Sequence, residues 1–149
     1  MKINKRVLIS FCTALAIVVA LQFLIQKRED KDVLFCRNLF TQMIKGSLRA
    51  ERLIDWEHIT MLGYNLSAKY QTIAPQYKYQ FRATFIQGFG AGFVAYKAKP
   101  SFFTHWRIYN KDDGKVIVAC DYPRKKSTLL FTISKNGEDR KLTSIDWRQ

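Results

Sequence analysis

The sequence predicts an α+β protein, with a transmembrane helix at its N-terminus and two to three further helices packed on a four-stranded, antiparallel, curled sheet. Three observations predict this arrangement. Residues 7–25 form an uncharged apolar run, apolar residues recur at helical spacing over 32–97, and apolar and polar residues alternate over 102–147 around two hairpin signals. Helices that come before a run of antiparallel strands are typical of a sheet covered by helices on one face.

The run VLISFCTALAIVVALQFLI, residues 7–25, is the predicted transmembrane helix, because an α-helix of this length comes close to crossing the hydrocarbon core of a bilayer. Basic charge is denser before the run than after it, so the positive-inside rule places residues 1–6 in the cytoplasm. We therefore predict a signal-anchor in the inner (cytoplasmic) membrane, a charged linker at 26–32, and an exported domain, periplasmic or extracellular, over 33–149.

A cleavable signal peptide is the alternative interpretation of this N-terminus. Val18-Val19-Ala20 offers small residues at the spacing that cleavage requires. The apolar run is longer than a usual signal core, which favours the uncleaved signal-anchor. Cys12 is a poor lipoprotein site, since Phe11 occupies the position where a small residue is needed.

Three helices are predicted in the first half of the exported domain. Apolar residues at i, i+3, i+4 and i+7 predict a helix over 32–45, and residues 48–62 suit a second helix that Gly63 ends. Pro75 marks a break, after which aromatic residues at every fourth position predict a long helix over 76–97. These aromatic residues are Tyr77, Phe81, Phe85, Phe89 and Phe93.

The glycines of FIQGFGAGFVAY, residues 85–96, do not form a phosphate-binding loop. A dinucleotide fingerprint needs its third glycine three residues after the second, whereas Gly92 comes two residues after Gly90, and no Gly-Lys-Ser/Thr follows. In a helix, three interior glycines cost about 1 kcal/mol each against alanine. We therefore predict that this helix packs closely against another backbone or bends here, and we predict no cofactor.

Alternation predicts four strands, over 102–109, 115–122, 127–134 and 140–147. Asp113-Gly114 and Asn136-Gly137 are strong hairpin signals between them. The order of these elements, with the sheet ending in KLTSIDW, resembles small exported proteins of the NTF2-like or cystatin-like type. This resemblance implies a cone-shaped sheet around a helix, and members include secretion-system scaffolds, lipid carriers and a few enzymes, so it does not choose between functions.

The net charge is +13, and residues 33–149 retain 19 bases against nine acids. Such a surplus implies an anionic neighbour, whereas the alternative is a solvated basic surface without a specific ligand. The tightest cluster is Arg124, Lys125 and Lys126 on a predicted hairpin tip. We predict that it binds anionic lipid headgroups, and we predict no nucleic-acid partner, because the domain is expected to be exported.

Aromatic side chains between the long helix and the sheet are candidates for lining a ligand cavity, with Arg107 as an anion anchor at its mouth. The alternative is that they form the core. The candidate residues are Trp56, Phe85, Phe89, Phe93, Trp106, Phe131 and Trp147.

Catalytic and metal-binding chemistry is weakly represented. His58 lies three residues after Asp55, and His105 faces Asp121 if the first two strands pair in a suitable register. No serine or cysteine has a base placed by local spacing, so we predict neither an enzyme nor a metal site.

Cys36 and Cys120 form a disulfide if the domain lies in an oxidising compartment, and are otherwise two buried thiols. From these observations we predict a single-pass membrane protein whose basic exported domain is a structural or interaction module of a cell-envelope complex, with a protein partner or a second copy. The alternative is a membrane-tethered module that binds a lipid or a small apolar-acidic ligand.

Overall fold

The structure, a computed structural model, describes residues 29–148. Within this range the chain forms three α-helices, six strands and several short 3-10 helices. In chain order they are α1 (Lys31–Ile44), a 3-10 helix (Leu48–Leu53), β1 (Thr60–Met61), β2 (Tyr64–Asn65), α2 (Leu66–Gln71), α3 (Lys78–Ala95), β3 (Thr104–Asp112), β4 (Lys115–Tyr122), β5 (Ser127–Asn136) and β6 (Asp139–Arg148).

The strands form one mixed sheet in the order β2-β1-β6-β5-β4-β3. Strands β3 to β6 are an antiparallel meander, as predicted, and Gly114 and Gly137 take positive φ angles in its tight hairpin turns. Strand β1 adds to the free edge of β6 in parallel and pairs with β2 in antiparallel orientation. The predicted four-stranded antiparallel sheet is therefore wrong, since the sheet has six strands and is mixed.

The first additional strand, β1, lies in a segment for which the sequence predicts a helix, residues 48–62, and β2 follows directly after it. Only Leu48–Leu53 is helical there, as a 3-10 helix, and the chain then extends along β6. The backbone N–H of Asp55 donates to Leu142 O, and that of Leu62 donates to Ile145 O. Strands of two residues are too short to show an alternation of apolar and polar side chains, so only the helical spacing of the apolar residues was visible in the sequence.

The prediction of a transmembrane helix is also corrected. No helix within residues 29–148 is long and apolar enough to cross a membrane. The segment for which the signal-anchor was predicted, residues 7–25, lies outside the described residues.

Helix α1 lies at the centre of the molecule. Asp30 caps its N-terminus, where its side chain accepts from the backbone N–H of Asp32. The Asp32 carboxylate is itself buried and is held by Arg140 at 2.7 Å, Lys135 at 3.3 Å and Lys111 at 3.4 Å. These pairs tie the start of α1 to three strands of the meander.

The core lies between α1 and one face of the sheet. Phe40 of α1 is 1% exposed and packs edge-on against Phe131 of β5, with ring centroids 5.0 Å apart. Alternate residues of β4 and β5 point to this side, and a register shift between β5 and β6 brings Leu142 and Ile145, three residues apart, to it as well. Those buried are Val116, Val118, Cys120, Leu129, Phe131, Ile133, Leu142 and Ile145. Helix α3 packs on the outside of α1 and closes the core.

Candidate functional site

Helix α3 has an unusual composition for a helix at the surface. From Ala83 to Tyr96 it carries no charged residue, and its polar side chains there before Tyr96 are only Thr84 and Gln87. Apolar and small residues therefore occur on all sides of the helix rather than on one stripe. A helix that is apolar all round is normally buried.

Most of α3 is nevertheless not buried. Of its 18 residues only Ile86 and Gly90 are buried, and Val94 is 74% exposed. Except for Tyr79, the exposed residues of α3 recur at helical spacing and so form one continuous strip, which we call the open face of α3. The open face consists of Gln80, Thr84, Gln87, Gly88, Ala91, Val94 and Ala95.

The three glycines of α3 have different surroundings. A Cβ added at Gly90 would lie 2.6 Å from the backbone N of Gly46 and 2.8 Å from its Cα, so α3 meets the end of α1 backbone to backbone. The predicted close approach is thus confirmed at Gly90. At Gly88 and Gly92, an added Cβ would meet no described atom within 4 Å. Packing within residues 29–148 therefore explains one glycine of the three.

The aromatic side chains proposed to line a ligand cavity mostly come together. Phe89 and Phe93 pack on Phe40, with ring centroids 6.3 and 5.6 Å apart, and Phe40 in turn contacts Trp106 and Phe131. These rings contact one another and so occupy the space between α3 and the sheet.

Three of the proposed ligand residues lie apart from this aromatic cluster or at its end. Trp56 packs against Tyr70, Phe81 and Phe85 at the N-terminal end of α3. Trp147 is 43% exposed beside Tyr122. Arg107 lies on the exposed side of β3 and pairs with Asp121 at 3.0 Å.

The chain segment that contains α3 carries charge of one sign. Residues 58–111 contain seven Lys or Arg and no Asp or Glu. At the start of the helix, Lys78 and Arg82 pair with glutamates that precede this segment. After its end, Lys97 and Lys99 are exposed and form no ion pair with a residue of the described range.

The predicted basic cluster lies at the same end of α3. The Arg124 guanidinium stacks 3.6 Å above the ring of Phe102, whose backbone N–H donates to Lys99 O. Five exposed bases therefore surround the C-terminus of α3, and we call this group the basic end. Its members are Lys97, Lys99, Arg124, Lys125 and Lys126.

Both predicted histidine pairs form, at opposite edges of the sheet. His58 Nδ1 lies 2.9 Å from Asp55 Oδ2, and His105 Nδ1 lies 3.5 Å from Asp121 Oδ2. Each imidazole is about three-quarters exposed, so the carboxylate orients it while water still surrounds most of the ring. Asp121 also accepts from Thr128, so the second pair is held more firmly.

Cys36 and Cys120 are fully buried free thiols on α1 and β4. Burial raises the pKa of Cys36 far above its ordinary value, and Asp32 and Cys120 add to this effect; burial raises the pKa of Cys120 to about 12. Neither thiol is a ready nucleophile in this state. Their disulfide stays a prediction. Within residues 29–148, no group of three or more His, Cys, Asp or Glu could hold a metal ion.

No family model, curated protein or solved structure matches this chain. The resemblance to NTF2-like or cystatin-like proteins therefore stays a prediction. The open face of α3 is the feature that sequence reasoning missed. The signal for it in the sequence is the absence of charge from Ala83 to Tyr96. It was missed because the regular spacing of the phenylalanines indicated a side of the helix that faces the core.

Proposed function

We propose that residues 29–148 form a non-catalytic interaction domain that binds a protein partner through the open face of α3. One observation carries this proposal: a helix of 18 residues that is uncharged from Ala83 to its end, with apolar and small residues on all sides there, buries only two of them. Contiguous exposed apolar surface on a folded domain marks an interaction site. A partner that covers the open face would give α3 the apolar surroundings that its composition favours.

The glycines support the same proposal. Each interior glycine costs a helix about 1 kcal/mol relative to alanine. The close contact with Gly46 offsets this cost at Gly90 only. A partner that packs closely against the backbone of α3 at Gly88 and Gly92 would offset the cost of these two glycines.

A ligand site between α3 and the sheet has less support. Phe40 contacts Phe89, Phe93, Phe103, Trp106 and Phe131, so the rings that would line such a site pack against each other. These contacts favour the core as the role of the aromatic residues and leave the surface of α3 for binding.

The replacement Ala91→Arg tests the proposal, with Asn136→Arg, at an exposed position at the far end of the sheet, as a matched control. Arginine is a good helix former, so Ala91→Arg should leave folding intact while it places a charge in the middle of the surface to be covered. We expect native electrophoresis of extracts from the source cells to show about tenfold less of the assembly for Ala91→Arg only. An assembly that persists unchanged, or a wild-type chain that migrates alone, contradicts the proposal. Thermal unfolding of both variants checks that each still folds.

A further inference from the structure

We infer that the partner covering the open face of α3 is an acidic helix of another protein, with carboxylates that face the basic end. This inference rests on the proposed function and names the chemistry of its partner. It follows from the exposed bases at the C-terminal end of α3, from the lack of a matching unpaired acid at its start, and from the size of the side chains on the open face.

The charge around the open face selects an acidic partner. Between 58 and 111 the chain has seven bases and no acid, and the bases at Lys97 and Lys99 form no ion pair within residues 29–148. The turn Pro123–Lys125 brings further bases to the same end. Interfaces are complementary in charge, so a partner on α3 is expected to present Asp or Glu there.

The same charges argue against a second copy of this chain. Two α3 helices packed in parallel would place Lys97 and Lys99 beside their own equivalents. Packed antiparallel, they would place these lysines beside Lys78 and Arg82 of the other copy. The parallel arrangement brings no acid to these lysines from residues 58–111, which contain none. In the antiparallel arrangement the acids at the start of α3, Glu51 and Glu57, are already paired with Arg82 and Lys78. Like charges brought together oppose association.

Side-chain size favours a helix over a lipid surface. Helix faces that insert into bilayers carry bulky Trp, Phe or Leu. The phenylalanines of α3 instead pack inwards, on Phe40 of α1 or on Trp56. The open face instead carries Thr84, Gly88, Ala91 and Ala95, spaced three or four residues apart. Small residues at this spacing let a second helix approach closely. An 18-residue helix is about 27 Å long, which offers five turns for such packing.

Site-specific photo-cross-linking tests the inference in the full chain. A photoreactive residue replaces Ala91, or Asn136 at the far end of the sheet as the control position, in cells of the source organism, and the cross-linked peptide is sequenced. We expect cross-links from position 91 only, to a helical segment with Asp or Glu at one end. The charge reversal Lys99→Glu should lower the cross-link yield about tenfold at low salt, and Lys115→Glu, at the far end of the sheet, by less than about twofold. Replacing the partner's nearest acid by lysine should restore the yield with Lys99→Glu.

The outcomes separate the inference from the proposed function. A cross-linked protein segment without acids, a yield unchanged by Lys99→Glu, or a cross-link to a second copy overturns the acidic helix and leaves an interaction domain. A cross-link to lipid or to residues 7–25 of the same chain overturns both. Equal labelling from positions 91 and 136 also overturns both, because the open face would then be ordinary solvated surface.

Discussion

Helices α1 and α3 lie on the same side of the sheet and have similar lengths, yet they are buried to very different extents. Helix α1 buries seven of its 14 residues, whereas α3 buries two of 18. Most apolar residues of α1 fall on one side, at Cys36, Leu39, Phe40 and Met43, and the opposite side is polar except for Leu34. Those of α3 fall on every side. Helix α1 is therefore adapted to complete this fold, whereas α3 has apolar surface for more contacts than residues 29–148 provide.

The largest difference between the two helices is expected from truncating a phenylalanine in each. Phe40→Ala removes a ring, 1% exposed, that contacts five aromatic rings, and should lower the free energy of unfolding by about 4 kcal/mol. Phe93→Ala removes a half-buried ring of α3 and should lower it by about 2 kcal/mol. Urea unfolding of both variants measures the difference. Equal losses would mean that α3 is as much a part of the core as α1.

The N-terminus of α1 is also held more strongly than that of α3, by ion pairs to the buried carboxylate of Asp32. Burial alone would raise the pKa of Asp32, but hydrogen bonds and charge from Arg140 and Lys135 outweigh it and hold the pKa below its ordinary value of 3.8. Because the folded pKa is lowered, the stability from ionised Asp32 is present above about pH 4 and is lost as the pH falls below the folded pKa. Asp32→Asn should cost about 3 kcal/mol at pH 7 by leaving buried cations without their charge partner.

The matched control for Asp32→Asn is Glu57→Gln at the start of α3. Glu57 forms a largely exposed pair with Lys78, so its loss should cost less than about 1 kcal/mol. Unfolding measured from pH 7 down to pH 3 should show a steeper loss in the wild-type chain than in Asp32→Asn. Identical slopes would show that Asp32 does not hold the start of α1 through its charge.

The sequence predicted those parts of the fold whose pattern is local. Alternation and the two glycine turns located β3 to β6, and helical spacing located α1 and α3. It missed β1 and β2, because two-residue strands depend on the edge of β6 rather than on their own composition. The burial of Asp32 was missed for a similar reason, since its partners Lys135 and Arg140 are more than 100 residues away in the chain.

The candidate site could be predicted only in part. The uncharged stretch of α3 and the cluster Arg124-Lys125-Lys126 are visible in the sequence. Which side of α3 is covered depends on where α1 lies, and the stacking of Arg124 on Phe102 depends on the turn after β4. Both are tertiary relations that spacing along the chain does not contain.

A substitution within α3 distinguishes its packed side from its open face. Gly90→Ala adds a Cβ that would lie 2.6 Å from Gly46 N, and Gly46 has a φ of +64°, so its backbone is not free to adapt. We expect this variant to lose about 2 kcal/mol of unfolding free energy, despite the higher helix propensity of alanine. Thermal unfolding of the full chain measures the loss. A variant as stable as the wild type would mean that α1 and α3 separate easily.

The smallest expected change in unfolding free energy is a gain in stability rather than a loss. Gly88→Ala and Gly92→Ala add a methyl group where no described atom lies within 4 Å, so each should raise the unfolding free energy by up to about 1 kcal/mol. If a partner helix packs on Gly88, the same methyl group should weaken the cross-link from position 91, because it holds the two backbones apart. Stability would then rise while binding falls, which no purely structural role of Gly88 produces. A gain in stability with unchanged cross-linking would show that the partner does not approach α3 at this glycine.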